Sequence, residues 1–161
     1  MAGFAQSPPN AVLMRFAQEE LQRSQWARAL DVGCGAGRNA VPLARLGWTV
    51  VGTDLSWPML AAATARAGDE HLERRFRGIL APMENLPARD RSFDLVIAHG
   101  IWNLARSAEQ FRRALDEAAR VARPGAGLFV FTFSRNTLPA QTMPDLSDSP
   151  QCGCCEMLLK L

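Results

Sequence analysis

The sequence contains no tyrosine, a single lysine and only two histidines, so arginine supplies 17 of its 18 basic residues. One compact basic cluster lies within residues 74–77, but Glu70 and Glu73 adjoin it. A basic cluster with acidic neighbours is typical of a solvated helix end, whereas nucleic-acid surfaces carry uncompensated basic charge. We therefore expect no binding of DNA or RNA.

Long apolar runs are also absent. No segment reaches the roughly 18 consecutive apolar residues of a membrane-spanning helix, and the N-terminus lacks the basic stretch followed by an apolar one that marks a secretory signal. We expect a cytoplasmic protein that does not enter a membrane. Of the four cysteines, Cys152, Cys154 and Cys155 form a C-x-C-C pattern without the fourth ligand of a structural zinc site, so no metal is expected.

A hydrophobic content of 48% over 161 residues is enough for one buried core. Short apolar runs alternate with segments of helical periodicity, which predicts a parallel sheet with right-handed crossovers. The predicted fold is therefore α/β, with a doubly wound, mostly parallel sheet of about five strands. Strands are predicted at residues 27–32, 49–53, 76–80, 93–98 and 128–133, and helices at 11–24, 38–46, 56–67 and 107–123.

The most informative segment is residues 31–37, in which three alternate glycines follow a short apolar strand and precede a helix. Glycine adopts positive φ angles and lets the backbone approach a bound molecule closely. Asp54 ends the next predicted strand, from where a carboxylate can accept ribose hydroxyl groups in a doubly wound fold. Together these features predict a nucleoside site. A tight turn without a ligand, and a plain helix cap for Asp54, are the alternatives.

The Asp-x-Gly-x-Gly-x-Gly spacing differs from the dinucleotide fingerprint, because the third glycine comes one residue early and Arg38 replaces the last glycine. The segment resembles instead the first motif of class I S-adenosylmethionine-dependent methyltransferases. Residues 87–98 are similar to the fourth strand of that family and its approach, and the resemblance covers residues 28–134. It implies a Rossmann-like fold, S-adenosylmethionine as cofactor and a small-molecule acceptor.

The resemblance also implies the candidate site residues. In the family the glycine loop packs against the methionine portion and ribose of the cofactor, and an acid at its head, here Asp31, suits an ammonium group. Many members read the adenine amino group with an acid where this chain has Pro82, so adenine would be held by the backbone near Met83 and by apolar faces such as Leu55. The predicted cofactor-binding residues are Asp31, Gly33, Cys34, Gly35, Gly37, Asp54, Leu55, Met59, Met83, Glu84, His99 and Gly100.

His99 follows the predicted fourth strand, near the place where the family holds the transferring methyl group. An imidazole there could deprotonate an acceptor hydroxyl or amine, because its unperturbed pKa lies near physiological pH. His99 is therefore the candidate catalytic residue, with a structural polar role as the alternative. Trp102 either forms a wall of the acceptor pocket or packs against the helix that begins at Ser107.

The C-terminal part of the sequence departs from the family, which usually closes its sheet with a hairpin of two further strands. Residues 138–150 are rich in proline, serine and aspartate and show no strand pattern. We predict a methyltransferase domain over residues 1–135 and an irregular tail, disordered or junction-derived, over residues 136–161. The apolar fifth strand would then be an exposed edge. Either the tail folds back over that edge, or the chain self-associates through it.

Three functions are compatible with these patterns. The favoured one is methyl transfer from S-adenosylmethionine to a small-molecule acceptor, in which holding acceptor and methyl group in line supplies most of the rate. The second is a non-catalytic, truncated product that binds the cofactor or a protein partner. The third, an NAD-dependent oxidoreductase, is opposed by Arg38 in place of the last glycine of the fingerprint.

Overall fold

The computed structural model describes residues 7–132 and 155–160. Within them, helical and extended segments alternate as the sequence predicts. A short 3-10 helix is also present at Trp102–Leu104. The elements, in chain order, are α1 (Ala11–Leu21), β1 (Arg28–Val32), α2 (Ala40–Leu46), β2 (Thr49–Asp54), α3 (Trp57–Asp69), β3 (Phe76–Leu80), β4 (Phe93–His99), α4 (Ala108–Val121), β5 (Ala122–Thr132) and β6 (Cys155–Lys160).

The six strands form one sheet in the order β3-β2-β1-β4-β5-β6. Neighbouring strands are parallel, except that β6 runs antiparallel to β5. The strand order reverses between β1 and β4, and ligands of open α/β sheets bind in the crevice at such a reversal. The predicted α/β, doubly wound and mostly parallel fold is confirmed, with six strands in place of about five.

Helices pack on both faces of the sheet and bury two apolar clusters. Leu95 and Ile97 of β4 enter the cluster beneath α1, α2 and α3, whereas Val96 and Ala98 enter the cluster beneath α4. A strand buried on both faces reads as a continuous apolar run, which is the pattern of β4 in the sequence. The central strands are thereby held rigidly, and so are the side chains at their carboxyl ends.

Some element bounds differ from the predicted ones. The helix predicted from residue 38 begins at Ala40, because the glycine turn continues through the two preceding residues. The fifth strand begins at Ala122 instead of residue 128, since Ala122 already pairs with Phe93 before a shift of register. Residues 124 and 125 therefore belong to an irregular part of β5 and do not end α4.

The predicted irregular tail is wrong for Cys155–Lys160, which forms β6 along the edge of β5. Pairing with a long apolar strand supplies stabilisation that a six-residue pattern does not reveal. Lys160 also forms an ion pair with the buried carboxylate of Glu20 on α1. Of the two outcomes predicted for this edge, the tail folding back over it is confirmed for Cys155–Lys160, and self-association through β5 stays a prediction. The domain boundary at residue 135 and residues 136–154 lie outside the described residues.

The helices are short. The longest among the described residues, α4, has 14 residues, whereas a span of the bilayer needs about 20 apolar ones. None of the helices in the described part of the chain is long and apolar enough to cross a membrane.

Candidate functional site

A cavity of about 460 Å³ opens at the carboxyl ends of β1, β2 and β4, where the strand order reverses. Its volume lies in the range of small-molecule and cofactor sites. Seven of the predicted site residues line it: Gly33, Asp54, Leu55, Met83, Glu84, His99 and Gly100. The other five, Asp31, Cys34, Gly35, Gly37 and Met59, lie outside its lining.

The turn after β1 requires glycine for two different reasons. At Gly33, a Cβ atom would lie 2.6 Å from Cδ1 of Ile101, so only glycine lets the segment after β4 come this close. At Gly35, where φ is +54°, a Cβ atom would meet nothing within 4 Å. There the backbone conformation demands glycine while the adjacent space stays open. Such a turn can bring backbone N–H groups against a ligand.

Asp54 holds the glycine turn to the end of β2. Its Oδ2 accepts a hydrogen bond of 2.8 Å from the backbone N–H of Gly35, and its Oδ1 accepts one of 2.8 Å from that of Ser56. Ser56 precedes α3 as predicted, but its side chain makes no capping hydrogen bond. Because a carboxylate offers about four lone-pair positions, Asp54 still has capacity for hydroxyl donors from the cavity that it lines.

Asp31 is a buried carboxyl group with an unsatisfied oxygen. Its side chain is 2% exposed, and Oδ2 has no hydrogen-bond partner. Burial raises the pKa of Asp31 from 3.8 to about 7; the charge of Arg38 opposes this rise and that of Asp54 adds to it. An unpartnered carboxyl oxygen at this depth is costly unless a donor or a cation satisfies it. A positively charged group that reached Oδ2 would satisfy it.

His99 occupies the end of β4 in a defined orientation. Nη2 of Arg38 lies 2.9 Å from its Nε2, and the ring stacks on Phe131 with a centroid separation of 4.3 Å. Arg38 is the functional contact that the sequence did not reveal, since it is 61 residues from His99. Its place directly after the glycine motif was the available signal.

The opposite side of the cavity contains Met83 and Glu84, which follow β3. Oε1 of Glu84 accepts a hydrogen bond of 2.8 Å from Nε2 of Gln110. The Gln110 side chain is fixed in turn, because its Oε1 accepts a hydrogen bond of 2.8 Å from the backbone N–H of Arg106, while the backbone N–H of Gln110 donates to Oγ of Ser107 over 3.1 Å. Glu84 is thereby held at the cavity wall, close to the place where the sequence has Pro82 instead of an acid.

Three predicted residues are part of the surrounding structure. Burial raises the pKa of the Cys34 thiol, which keeps the side chain neutral beneath the loop. Gly37 faces Ala63 of α3, and Met59 is half-buried on the same helix. Trp102 stacks edge-on against Phe111 of α4 and does not line the cavity.

The sequence interpretation missed five residues of the lining: Ala81, Ile101, Leu104, Arg106 and Gln110. Most of them lie in the segment that joins β4 to α4. Because ligands of such a fold bind beyond the carboxyl ends of the strands, the position of this segment after β4 could have indicated that it contributes to the site. Loops at that edge carry side chains that no motif specifies.

Residues 30–131 match the family described as "Methyltransferase domain". The chain is 32% identical over 116 residues to the ubiquinone biosynthesis O-methyltransferase of Agrobacterium fabrum, covering 72% of this chain and 44% of the relative. It is 37% identical over 109 residues to the protein of the same name from a Bradyrhizobium strain, covering 68% and 41%.

The fold has a counterpart among solved structures. An S-adenosylmethionine-dependent methyltransferase from Methanosarcina mazei superimposes with a TM-score of 0.68 at 23% identity, covering 81% of this chain and 60% of that one. At this identity the likeness concerns the fold. The chain also spans only about two fifths of the length of the curated relatives it matches.

The chain belongs to the methyltransferase domain family. The resemblance seen in the sequence is confirmed at the level of the family, and with it the Rossmann-like fold; S-adenosylmethionine is the cofactor that the resemblance implies. The site fits that cofactor on its own chemistry, because the unpartnered oxygen of Asp31 suits an ammonium group and Asp54 suits ribose hydroxyls. The matching family and the spacing at Arg38 both argue against a dinucleotide.

Proposed function

We propose that this protein transfers a methyl group from S-adenosylmethionine to a hydroxyl oxygen of a small-molecule acceptor. The observation that carries the proposal is the buried, unpartnered Oδ2 of Asp31, which heads the glycine turn whose Gly33 lines the cavity. A hydroxyl acceptor is supported by the O-methyltransferase names of the two relatives.

The proposed binding residues fall into three groups, each of which binds one part of the cofactor. Asp31 takes the ammonium group, and Gly33 and Gly35 give the backbone close access to the amino-acid portion. Asp54 accepts the ribose hydroxyls with the lone pairs that its two backbone hydrogen bonds leave. Glu84, held by Gln110, accepts the adenine amino group in place of the acid that Pro82 replaces.

When bound, S-adenosylmethionine supplies an electrophilic methyl group on a sulfonium that leaves as a neutral thioether. His99 is the proposed base, which accepts the hydroxyl proton of the acceptor as the oxygen becomes methylated. Ile101 and Leu104 supply apolar walls of the same cavity. The remaining rate enhancement comes from holding the acceptor in line.

We also propose a cytoplasmic enzyme that does not act on nucleic acids, as the sequence predicts. Several arginines are compensated by carboxylates and do not form a free basic surface. Arg45 pairs with Glu70 at 2.6 Å, and Arg123 pairs with Asp94 at 3.0 Å. Nucleic-acid surfaces need uncompensated positive charge.

Calorimetric titration with S-adenosylmethionine, S-adenosylhomocysteine and NAD tests the cofactor assignment. We expect saturable binding of the first two and none of NAD. Gly35→Val should abolish binding, since the new side chain points into the open space beside the turn. Gly125→Val is the matched control, because Gly125 also has a positive φ of +80° and open surroundings but lies outside the site.

Methyl transfer is tested with a panel of phenols, catechols and aliphatic alcohols and a methyl-labelled cofactor. Labelled ether products are expected. Binding of NAD, or an equal loss of cofactor binding in both glycine variants, contradicts the assignment of the site. Cofactor binding without methylation of any hydroxyl compound favours the non-catalytic alternative.

A further inference from the structure

The hydrogen bond between Arg38 and His99 determines which ring nitrogen can accept a proton. A guanidinium has donors only and stays charged, so Nε2 of His99, 2.9 Å from Nη2, contributes its lone pair to this bond. The Nδ1 atom is farther from Nη2, at 3.4 Å. In a neutral imidazole the other nitrogen carries the hydrogen. While the bond persists, neither nitrogen of His99 is free to receive a proton from an acceptor.

Arg38 is also electrostatically coupled to the buried acid of the site. Its charge opposes the rise in the pKa of Asp31, and Asp31 retains the unpartnered Oδ2 that marks the ammonium position. In an α-amino acid the carboxylate and the ammonium group share one carbon atom. Because Arg38 contacts His99 at the cavity wall, a carboxylate that enters the cavity with an ammonium group can reach the guanidinium.

A carboxylate is the better partner for Arg38. Its two oxygens can accept parallel, charge-assisted hydrogen bonds from a guanidinium, whereas the imidazole offers one neutral acceptor. Phe131 holds the face of the His99 ring by stacking, so the ring keeps its position when the hydrogen bond to Arg38 is lost.

We propose that Arg38 is a positioning residue that withholds Nε2 of His99 in the free protein and releases it when the carboxylate of the bound cofactor takes the guanidinium. His99 then becomes a base only in the loaded protein. This inference rests on the proposed function, since it requires that the amino-acid portion of S-adenosylmethionine lie at Asp31.

Nitrogen NMR of the two histidine rings tests the release directly. The chain contains only His71 and His99, and His71→Gln assigns the spectrum. Three ligands are compared: S-adenosylhomocysteine, its decarboxylated analogue, and methylthioadenosine, which lacks the amino-acid portion. We expect S-adenosylhomocysteine alone to shift the Nε2 resonance of His99, and we expect no ligand to shift His71.

Two arginine variants separate the proposal from a general effect of ligand binding. In Arg38→Met without ligand, the Nε2 resonance of His99 should already lie where it lies in the wild type bound to S-adenosylhomocysteine. The ratio of the affinities for S-adenosylhomocysteine and its decarboxylated analogue should fall from about tenfold or more in the wild type to less than about threefold in this variant. Arg106→Met removes a guanidinium from the same cavity and should leave the His99 resonance of the free protein unchanged.

The results separate the role of Arg38 from the proposed methyl transfer. If S-adenosylhomocysteine binds but leaves the His99 resonance unchanged, or if Arg38→Met retains the full preference for the carboxylate, Arg38 does not control His99 and the proposal is wrong while the function stands. If none of the three ligands binds, the proposed function fails together with the inference.

Discussion

Replacing Asp31 by asparagine tests the electrostatics on which the site depends. Burial raises the pKa of Asp31 from 3.8 to about 7, so the folded protein resists ionisation of a carboxyl group that ionises readily in the unfolded chain. At about 1.36 kcal/mol per pKa unit, the cost to stability is about 4 kcal/mol above pH 7 and vanishes below about pH 4. An asparagine of nearly the same shape carries no such cost.

The sign of the effect follows from proton counting. Between pH 4 and 7 the unfolded chain has lost a proton that the folded chain retains at Asp31, so the wild type loses stability as the pH rises, and the loss levels off above pH 7. Asp31→Asn should therefore gain about 3 kcal/mol relative to the wild type between pH 5 and pH 8. The total gain at pH 8 should stay below about 4 kcal/mol, because a buried amide needs hydrogen-bond partners of its own.

Urea denaturation at pH 5, 6, 7 and 8 measures this difference, with equal slopes required for a valid comparison. Asp116→Asn is the control for removing a carboxylate from an exposed position, on α4. A stability difference between Asp31→Asn and the wild type that is the same at all four pH values would refute the reasoning. Asp31→Asn should also bind S-adenosylmethionine about tenfold or more weakly than the wild type, because it lacks the charge that attracts the ammonium group.

Three further predictions concern the same features. Affinity for S-adenosylmethionine should fall about tenfold per pH unit from pH 7 to pH 5, as Asp31 becomes protonated in the free protein; a flat calorimetric profile would contradict this. Lys160→Met should cost about 2 kcal/mol in thermal or urea unfolding, because it leaves the carboxylate of Glu20 buried with one partner fewer, and adding Glu20→Gln should recover most of the loss. Deleting residues 150–161 should expose the edge of β5 and promote association; a shortened chain that stays monomeric by light scattering and equally stable would show that β6 does not protect this edge.

The parts of the site that the sequence reveals are those encoded within a few residues of one another. The glycine turn requires positive φ at fixed spacing, and Asp54 follows β2 directly, so local pattern and the rules of doubly wound sheets are enough to place them. The pairs that complete the site join distant positions. Arg38 and His99 are 61 residues apart, and Glu84 and Gln110 are 26 apart.

The last strand, which the sequence suggests only as one of two outcomes for the edge of β5, also depends on a distant partner. Residues 155–160 form a strand because β5 offers them an apolar edge with unpaired backbone groups, not because their own sequence has a strong strand pattern. The ion pair between Lys160 and Glu20 spans 140 residues. Local propensity predicts central strands such as β4 well, since burial on both faces imposes a long apolar run.

Because the strand order reverses between β1 and β4, the site lies at the interface between two halves of the chain. The first half supplies the glycine turn and Asp54, while the second half supplies the walls that contain His99, at the end of β4, and Ile101, just after it. A chain synthesised only as far as β3 contains the glycine turn and Asp54 but lacks the cavity wall that the second half supplies. Folding must close a loop of about 66 residues, from Ala29 to Leu95, before the two sides meet. The affinity for the cofactor therefore depends on contact between the two halves, and a cofactor bound to both would stabilise that contact.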